Sequence, residues 1–593
     1  MMRGLHVVAC CVACAALGCG GGQTRIGDLF DTQWQDDGGR SIAAVQGKLS
    51  SQAIPRGANV AVGVVDRGLV GVALDTGKTW SFSKPVDVRP WIAGDVVVVT
   101  AGGRLYALEA ASGRQLWSLP AAGKVRGAGD DGRTTLVSLE PSARAPGKLI
   151  AVERDGRVTR EIEVTVPVGS PVLVANHAFI PWQNQYVSVV DLGSGDEVAR
   201  VVLRHQTTQA FVAGGALFFG EVGITRFDER IGAASRDGAS KAVLPDRELP
   251  GKPRWLRAGG IAGKVTSDAF DRNRIYAMPA GRGDGLGFDG GRYYATYFRI
   301  VVGLQDDTGE LAWARRLDTD ALGGAAYEGG LVLCERTGRV GFYEAGTGAA
   351  AGEVSLGTAV RACVVQADRL TKAAEPRPEP VVEQLAKVID VSETDMVMMH
   401  AFLLRELIAQ PSPRATERLI ELAFDARTPP ELMTEVRKGL ASRRNGAEHM
   451  LEALGRRYDF LAGVLMTPPV GPLADALAAM KETRAAPLLA EHLNDPANST
   501  DDVKRAALAL ETLATQAERE PLELFFSLYR ATAHNEDLVQ ALVAVARAIL
   551  RVGGNDGREL VRAAAYDLMT VPSLQQPLRD LVSGSENPRT KGP

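Results

Sequence analysis

Apolar and polar residues alternate with period two through most of the first two thirds of the chain, then change to a helical period beyond Leu370. The clearest unit of the first kind is Leu105-Tyr106-Ala107-Leu108-Glu109-Ala110-Ala111-Ser112-Gly113-Arg114-Gln115-Leu116-Trp117. It reads as an apolar strand, an acidic residue, a turn ending in glycine, and a second strand closed by tryptophan. Period-two alternation gives each strand one apolar face. The acidic or hydroxyl side chain accepts backbone hydrogen bonds in the turn, and the glycine supplies a positive φ. Further copies run through Val72–Trp80, Ile150–Arg157, Val187–Val198, Ile224–Gly232, Val302–Trp313 and Val340–Gly348. Gly77, Gly113, Gly195, Gly309 and Gly348 are the turn glycines, Asp191 is a turn acceptor, and Trp80, Trp117 and Trp313 are expected to pack neighbouring sheets together. Runs such as Asp95–Val99 and Ala216–Phe219 supply the remaining strands.

Spacing selects the architecture. Trp80 and Trp117 are 37 residues apart, and Asp75 and Glu109 are 34 apart. A hairpin repeating at about 40 residues, with about four strands per unit, predicts a β-propeller. Seven copies are visible, and the 78 residues from Asp228 to Asp306 leave room for an eighth, degenerate blade or a long insertion; the glycine-rich stretch Gly281–Arg292 points to a loop there. The strand around Ala362–Val365 is placed to pair with the one near Val60–Val65 and so to remove the exposed sheet edges.

Past Leu370, Glu375-Pro376-Arg377-Pro378-Glu379-Pro380 alternates proline with charge, the composition of a semi-rigid linker. Helical patterns follow over Met398–Ile408, Ala415–Phe424, Leu473–Met480, Leu522–Tyr529 and Leu538–Leu550, and Val503, Ala507, Leu510 and Ala514 recur at steps of four, three and four. Ser499 or Thr500 caps that last pattern, with Asp501 and Asp502 near its positive end. Some 210 residues at 40–47 per repeat predict four or five helix pairs.

The N-terminus changes the compartment. Arg3 precedes the apolar run Leu5–Leu17, too short for a membrane span. It ends in Ala16-Leu17-Gly18-Cys19 and a glycine run, which resembles a lipobox. That resemblance implies cleavage after residue 18 and acylation of Cys19, with residues 19–50 as a flexible tether. The absence of Asp after Cys19 resembles the outer-membrane sorting pattern. Removal of the leader takes Cys10, Cys11 and Cys14 with it. Cys334 and Cys363 then remain in apolar strands, either as a disulfide or as two buried thiols.

Composition adds exclusions. With 67 Lys and Arg against 71 Asp and Glu, the net charge is −4 and no polybasic run appears, so no footprint for nucleic acid is present. The seven histidines form no HxxxH or HExxH pair. Gly281–Gly287 lacks the lysine and hydroxyl of a phosphate loop, and no G-x-S-x-G elbow occurs. No cofactor, metal or catalytic residue is expected. Trp182–Gln185 and Tyr293–Tyr297 stand as contact points for a partner or as sheet packing.

The hairpin signature resembles the PQQ-like repeat family, and residues 50–368 as a whole resemble BamB-like outer-membrane lipoproteins; Leu477–Ala514 resembles a HEAT repeat. Together the readings give a signal peptide at 1–18, the lipidated cysteine and tether at 19–50, an all-β propeller of seven or eight blades at 51–368, and a linker at 369–381. An all-α HEAT-like domain follows at 382–583, and a disordered tail at 584–593. The resemblance implies a non-enzymatic interaction scaffold, anchored at the outer membrane and facing the periplasm. It would bind proteins or peptides of the envelope and assist outer-membrane protein assembly, or belong to a secretion or motility complex. The alternative that the repeat carries is a PQQ-dependent quinoprotein dehydrogenase. Those enzymes often place a disulfide of adjacent cysteines beside the cofactor, and here the only adjacent pair, Cys10-Cys11, lies in the leader.

Overall fold

The computed structural model describes residues 30, 40–50, 52, 57–120, 123–141, 146–203, 210–213, 216–220, 223–226, 232–234, 241–243, 246–248, 273–276, 292–305, 310–327, 329–367, 370, 379–456, 458–459, 464–465 and 467–585. The leader, Cys19, Gly309, most of the linker and the end of the tail lie outside them. The chain divides into a β unit that ends at Pro378 and a helical unit that begins at Glu379.

The described residues of the β unit hold seven four-stranded antiparallel sheets and one two-stranded ribbon. Six of the seven take their strands from one contiguous stretch of chain. In the second sheet Trp91–Ala93, Val96–Ala101, Arg104–Glu109 and Gln115–Pro120 follow in order. The first sheet is the exception. Thr79–Phe82, Gly68–Ala73 and Val60–Val65 are joined by Ala362–Gln366, with Val60 opposite Gln366 and Val64 opposite Ala362. The first strand of the unit therefore pairs with its last.

The interval after Asp228 holds no eighth four-stranded sheet among the described residues. It contains the ribbon of Gly232–Ala234 with Lys241–Val243, the last strand of the fifth sheet (Asp246–Glu248), and the first strands of the sixth (Asn273–Tyr276 and Arg292–Tyr297). The core lies between facing sheets. Val96, Val98, Leu105, Ala107 and Trp117 of the second sheet share one cluster with Val137, Leu139, Ile150 and Val152 of the third.

Residues 40–50, assigned to the flexible tether above, form a helix, Arg40–Ser50. Ile42, Val45 and Leu49 recur at steps of three and four, so one apolar stripe faces the β unit. They are buried among residues of the fourth and fifth sheets.

The helical unit has two rows. Val397–Ala409, Pro430–Ala441, Val470–Met480, Thr500–Leu513, Glu536–Val552 and Pro572–Ser585 pack in succession as one row. Val381–Val388, Pro413–Phe424, Ala447–Gly455, Ala486–His492 and Arg519–Tyr529 form the other, and Gly554–Tyr566 packs on the last two helices of the first. That is six helix pairs among the described residues, where period alone suggested four or five. The extra ones are short or proline-started: Val381–Val388 follows Pro380, and Pro430–Ala441 carries proline at its first turn. Ser499 caps Thr500–Leu513 by accepting from the Asp502 N–H at 3.1 Å. Pairs stacked in this way are the architecture of a helical repeat.

Candidate functional site

The repeat positions assemble into junctions between consecutive sheets. At the first, Trp80 lies opposite Gly71 on the adjoining strand. Its indole N–H donates to the Ala110 carbonyl of the next sheet's turn at 2.9 Å. At the sixth, Trp313 lies opposite Gly303 and donates to the Ala345 carbonyl of the seventh sheet at 2.8 Å. Each indole is thus held between a glycine of its own sheet and a turn glycine of the next. A Cβ on Gly113 would stand 2.5 Å from Trp80 Cε3, and one on Gly348 would stand 2.5 Å from Trp313 Cε3. Trp117 lies opposite Ala107, with Gly156 of the third sheet against its Cβ. Its indole nitrogen is buried with no hydrogen-bond partner among the described residues.

Four of the repeat turns share one geometry. Gly77, Gly113, Gly195 and Gly348 all have positive φ, between +65° and +81°. Each donates its N–H to the carbonyl four residues earlier, as Gly113 does to Glu109 at 2.8 Å. Asp191 accepts from the N–H groups of Gly193 and Ser194 at 2.8 and 3.1 Å. Glu344 accepts from Gly346 and Thr347 at 2.8 and 2.7 Å. A carboxylate at this position organises the turn through the donors of its own loop, as the Asx and related turns do.

Cys334 and Cys363 are joined in a disulfide, with Cα atoms 6.4 Å apart. Cys334 lies on Gly330–Glu335 of the seventh sheet and Cys363 on the strand that completes the first. The carbonyl of Cys363 also accepts from the Arg89 guanidinium at 2.5 Å.

Two charge clusters built on buried carboxylates went unread in the sequence. In the third sheet, Asp130 accepts from Thr135 Oγ1 at 2.6 Å, from the Gly132 N–H at 2.8 Å and from Arg154 at 2.6 Å. Burial nevertheless pushes its carboxyl up to about 6 from an ordinary 3.8, against the opposing pull of Thr135 and Arg154. Arg154 also bonds Asp95 of the second sheet. In the fourth sheet, Glu197 takes Arg200 on both oxygens at 2.6 and 2.7 Å and accepts from Ser188 Oγ at 2.7 Å. Ser188 in turn accepts from the Trp182 indole at 2.9 Å, and the Arg200 guanidinium lies 5.0 Å from that ring. Alternating polar residues in strands of this kind read as solvent-facing, which is why sequence gave no signal for them.

The suggested contact points resolve as packing at Trp182, Tyr294 and Tyr297. Trp182, Tyr294 and Tyr297 are 1%, 0% and 3% exposed. Gln183, Asn184 and Gln185, at the tip of the turn, face solvent. Most of the larger exposed apolar side chains lie elsewhere, in the helical unit. Leu524 and Leu528 stand one turn apart on Arg519–Tyr529, 55% and 57% exposed, and Leu568 is 95% exposed. Arg530 holds Asp567 at 2.6 Å and Thr570 at 2.9 Å, which brings the loop carrying Leu568 and Met569 to the end of that helix. Exposed apolar groups gathered in this way mark interaction surfaces.

Among the described residues, no group of three or more His, Cys, Asp or Glu side chains is placed to hold a metal ion. No helix among them is long and apolar enough to cross a membrane.

Residues 33–237 match the family model described as outer membrane protein assembly factor BamB. This β region is therefore BamB-like in sequence, and the helical unit is of HEAT-like construction. No curated protein matches the chain. Among solved structures, BamB from Moraxella catarrhalis is 15% identical, covering 52% of this chain and 87% of that one, with a TM-score of 0.30. Apo AztD from Citrobacter koseri is 11% identical, covering 52% and 97%, also at 0.30. The computationally designed Ika8 protein is 14% identical, covering 53% and 91%, again at 0.30.

Proposed function

We propose that the chain is a non-enzymatic interaction scaffold of the bacterial envelope, tethered to the outer membrane through an acylated Cys19 and facing the periplasm. In this reading the seven four-stranded sheets are blades of one propeller, which the pairing of Ala362–Gln366 with Val60–Val65 closes. The observation that carries the reading is the BamB-like match over residues 33–237, which falls on sheets built from the repeat hairpin. Carboxylates that could serve chemistry are engaged in structure: Asp191 and Glu344 organise turns, and Glu197 and Asp130 are held by arginine. The partner class is a protein or peptide of the envelope, and assistance to outer-membrane protein assembly is the role the match favours. The helical unit offers a second surface at Leu524, Leu528 and Leu568, whose exposure is costly unless a partner covers it.

Crosslinking in intact membranes followed by affinity isolation tests this reading, with Cys19→Ala as the unanchored control and Leu524→Asp/Leu528→Asp as the surface control. Recovery of outer-membrane assembly components that fails with Cys19→Ala supports it. Recovery of unrelated envelope proteins alone would remove the assembly role and leave a general platform.

A further inference from the structure

The junction that follows the fourth sheet lacks its tryptophan. Trp117 and Trp313 each stand eight residues after the turn residue, Glu109 or Gln305, and opposite Ala107 or Gly303. The same count from Asp191 reaches Ala199, opposite Val189, with the register shift at the same place in the strand pair. An alanine there removes the large ring that spans two sheets at the first, second and sixth junctions; the third and seventh carry Arg160 and Gly352 at this place. The Arg40–Ser50 helix fills the space: Ile42, Val45 and Leu49 are 2%, 2% and 9% exposed, in one cluster with Ala199, Val189 and Phe219 of the fifth sheet. Upstream, Phe30 meets the Trp182 ring edge-on at 5.3 Å. Phe30 and Ile42, twelve residues apart, are thus both packed against the fourth sheet.

We propose that this segment is a strap that substitutes for the missing tryptophan and turns the Trp182–Tyr186 end of the fourth sheet toward the bilayer. The second half rests on the anchored reading above. Phe30 is eleven residues from Cys19, and eleven residues span at most about 40 Å even when fully extended. Whatever path the intervening chain takes, an acylated Cys19 keeps the Phe30 contact within that distance of the lipid. In a ring of seven sheets the first sheet lies across from the fourth, and no such bound applies to it. The partner of this end is the membrane surface itself.

The strap is tested by cleavage and the orientation by energy transfer, both on the full chain. Lys48 is exposed on the helix, so trypsin cuts after it only when the helix opens. Ile42→Asp/Val45→Asp should raise that cleavage rate at least tenfold. Val189→Ala/Ala199→Trp rebuilds the pairing seen at Ala107 and Trp117, and should release the helix to the same extent while the melting temperature is kept. Wild-type cleavage as fast as in either variant would overturn the strap. For orientation, a donor dye is placed at Asn184→Cys or at Thr76→Cys, both exposed, in the acylated protein on vesicles of phosphatidylethanolamine and phosphatidylglycerol with a headgroup acceptor. Transfer at 184 should be at least twice that at 76, and equal or reversed transfer would overturn the orientation. Mass spectrometry of the N-terminal peptide keeps the premises apart. An unacylated Cys19 sinks the anchored reading and the orientation with it, while the cleavage data still decide the strap.

Discussion

The turn glycines carry two constraints at once, and they can be separated by substitution. Gly348 has φ +65° and faces the Trp313 ring, whereas Gly357 has φ +76° with nothing within 4 Å of where a Cβ would stand. Gly357→Ala meets only the left-handed backbone penalty of about 1–2 kcal/mol. Gly348→Ala meets that penalty and the indole, which adds about 1–3 kcal/mol of overpacking. The expected outcome is a fall in melting temperature at least twice as large for Gly348→Ala, read by differential scanning calorimetry; equal falls would show that the ring yields without cost. These positions were legible in the sequence because a turn of fixed length, a glycine and a tryptophan recur in step. What the ring touches was not legible, since Gly303 and Gly348 lie 45 residues apart and meet only through sheet register. Ala199 was invisible for the converse reason. A missing tryptophan looks like any other strand residue until the neighbouring sheet is in place.

At the scale of elements, apolar period identified six helices close to their observed bounds: the pattern at Met398–Ile408 became Val397–Ala409, and Leu538–Leu550 became Glu536–Val552. It passed over Arg40–Ser50, whose three apolar residues are diluted by alanine, glycine and polar neighbours and whose burial depends on sheets far along the chain. It also gave no account of how helices are joined. Arg443, just past Pro430–Ala441, supplies one such joint. Its guanidinium donates to the carbonyls of Ile408, Gln410 and Ser412 at 2.8 Å each, to Asn445 Oδ1 at 2.8 Å and to Thr416 Oγ1 at 2.9 Å. The carbonyls of Ile408 and Gln410 belong to the C-terminal end of Val397–Ala409, where the helix dipole favours a cation. Burial lowers the pKa of Arg443, yet the group remains a cation at any physiological pH. Arg443→Met leaves several buried acceptors without a donor and should cost about 3–5 kcal/mol. Urea unfolding followed by circular dichroism at 222 nm measures it. Arg443→Lys should recover only part of the loss, because one ammonium cannot reach acceptors spread over two helix ends. Full recovery would mean that charge alone, without the forked geometry, holds the joint.

For the whole molecule, the division into a β array and a helical repeat followed from the change of period near Leu370, and the pairing of Val60–Val65 with Ala362–Gln366 followed from the need to satisfy two open edges. The cysteines were left open between a disulfide and two buried thiols, because two apolar strands 29 residues apart can sit side by side or face away. Their bond places Ala362–Gln366 under two restraints. Its backbone pairs with the first sheet, and Cys363 is tied to the seventh sheet through Cys334. The last strand of the array is therefore the one whose loss would open both neighbours. A loop of this length closed by a disulfide contributes about 3–4 kcal/mol by restricting the unfolded chain. Cys334→Ala/Cys363→Ala should unfold at lower temperature by a corresponding amount, and reductant should bring the wild type down toward the variant while leaving the variant unchanged. Proteolysis should then begin at the strand itself, since only backbone pairing to Val60–Val65, the Arg89 and Gln366 hydrogen bonds and side-chain packing retain it once the covalent tie is gone. A wild type whose melting temperature is indifferent to reductant, with the bond shown by mass spectrometry to be reduced, would mean that hydrogen bonding and the Val360 and Val365 packing suffice to hold the array together.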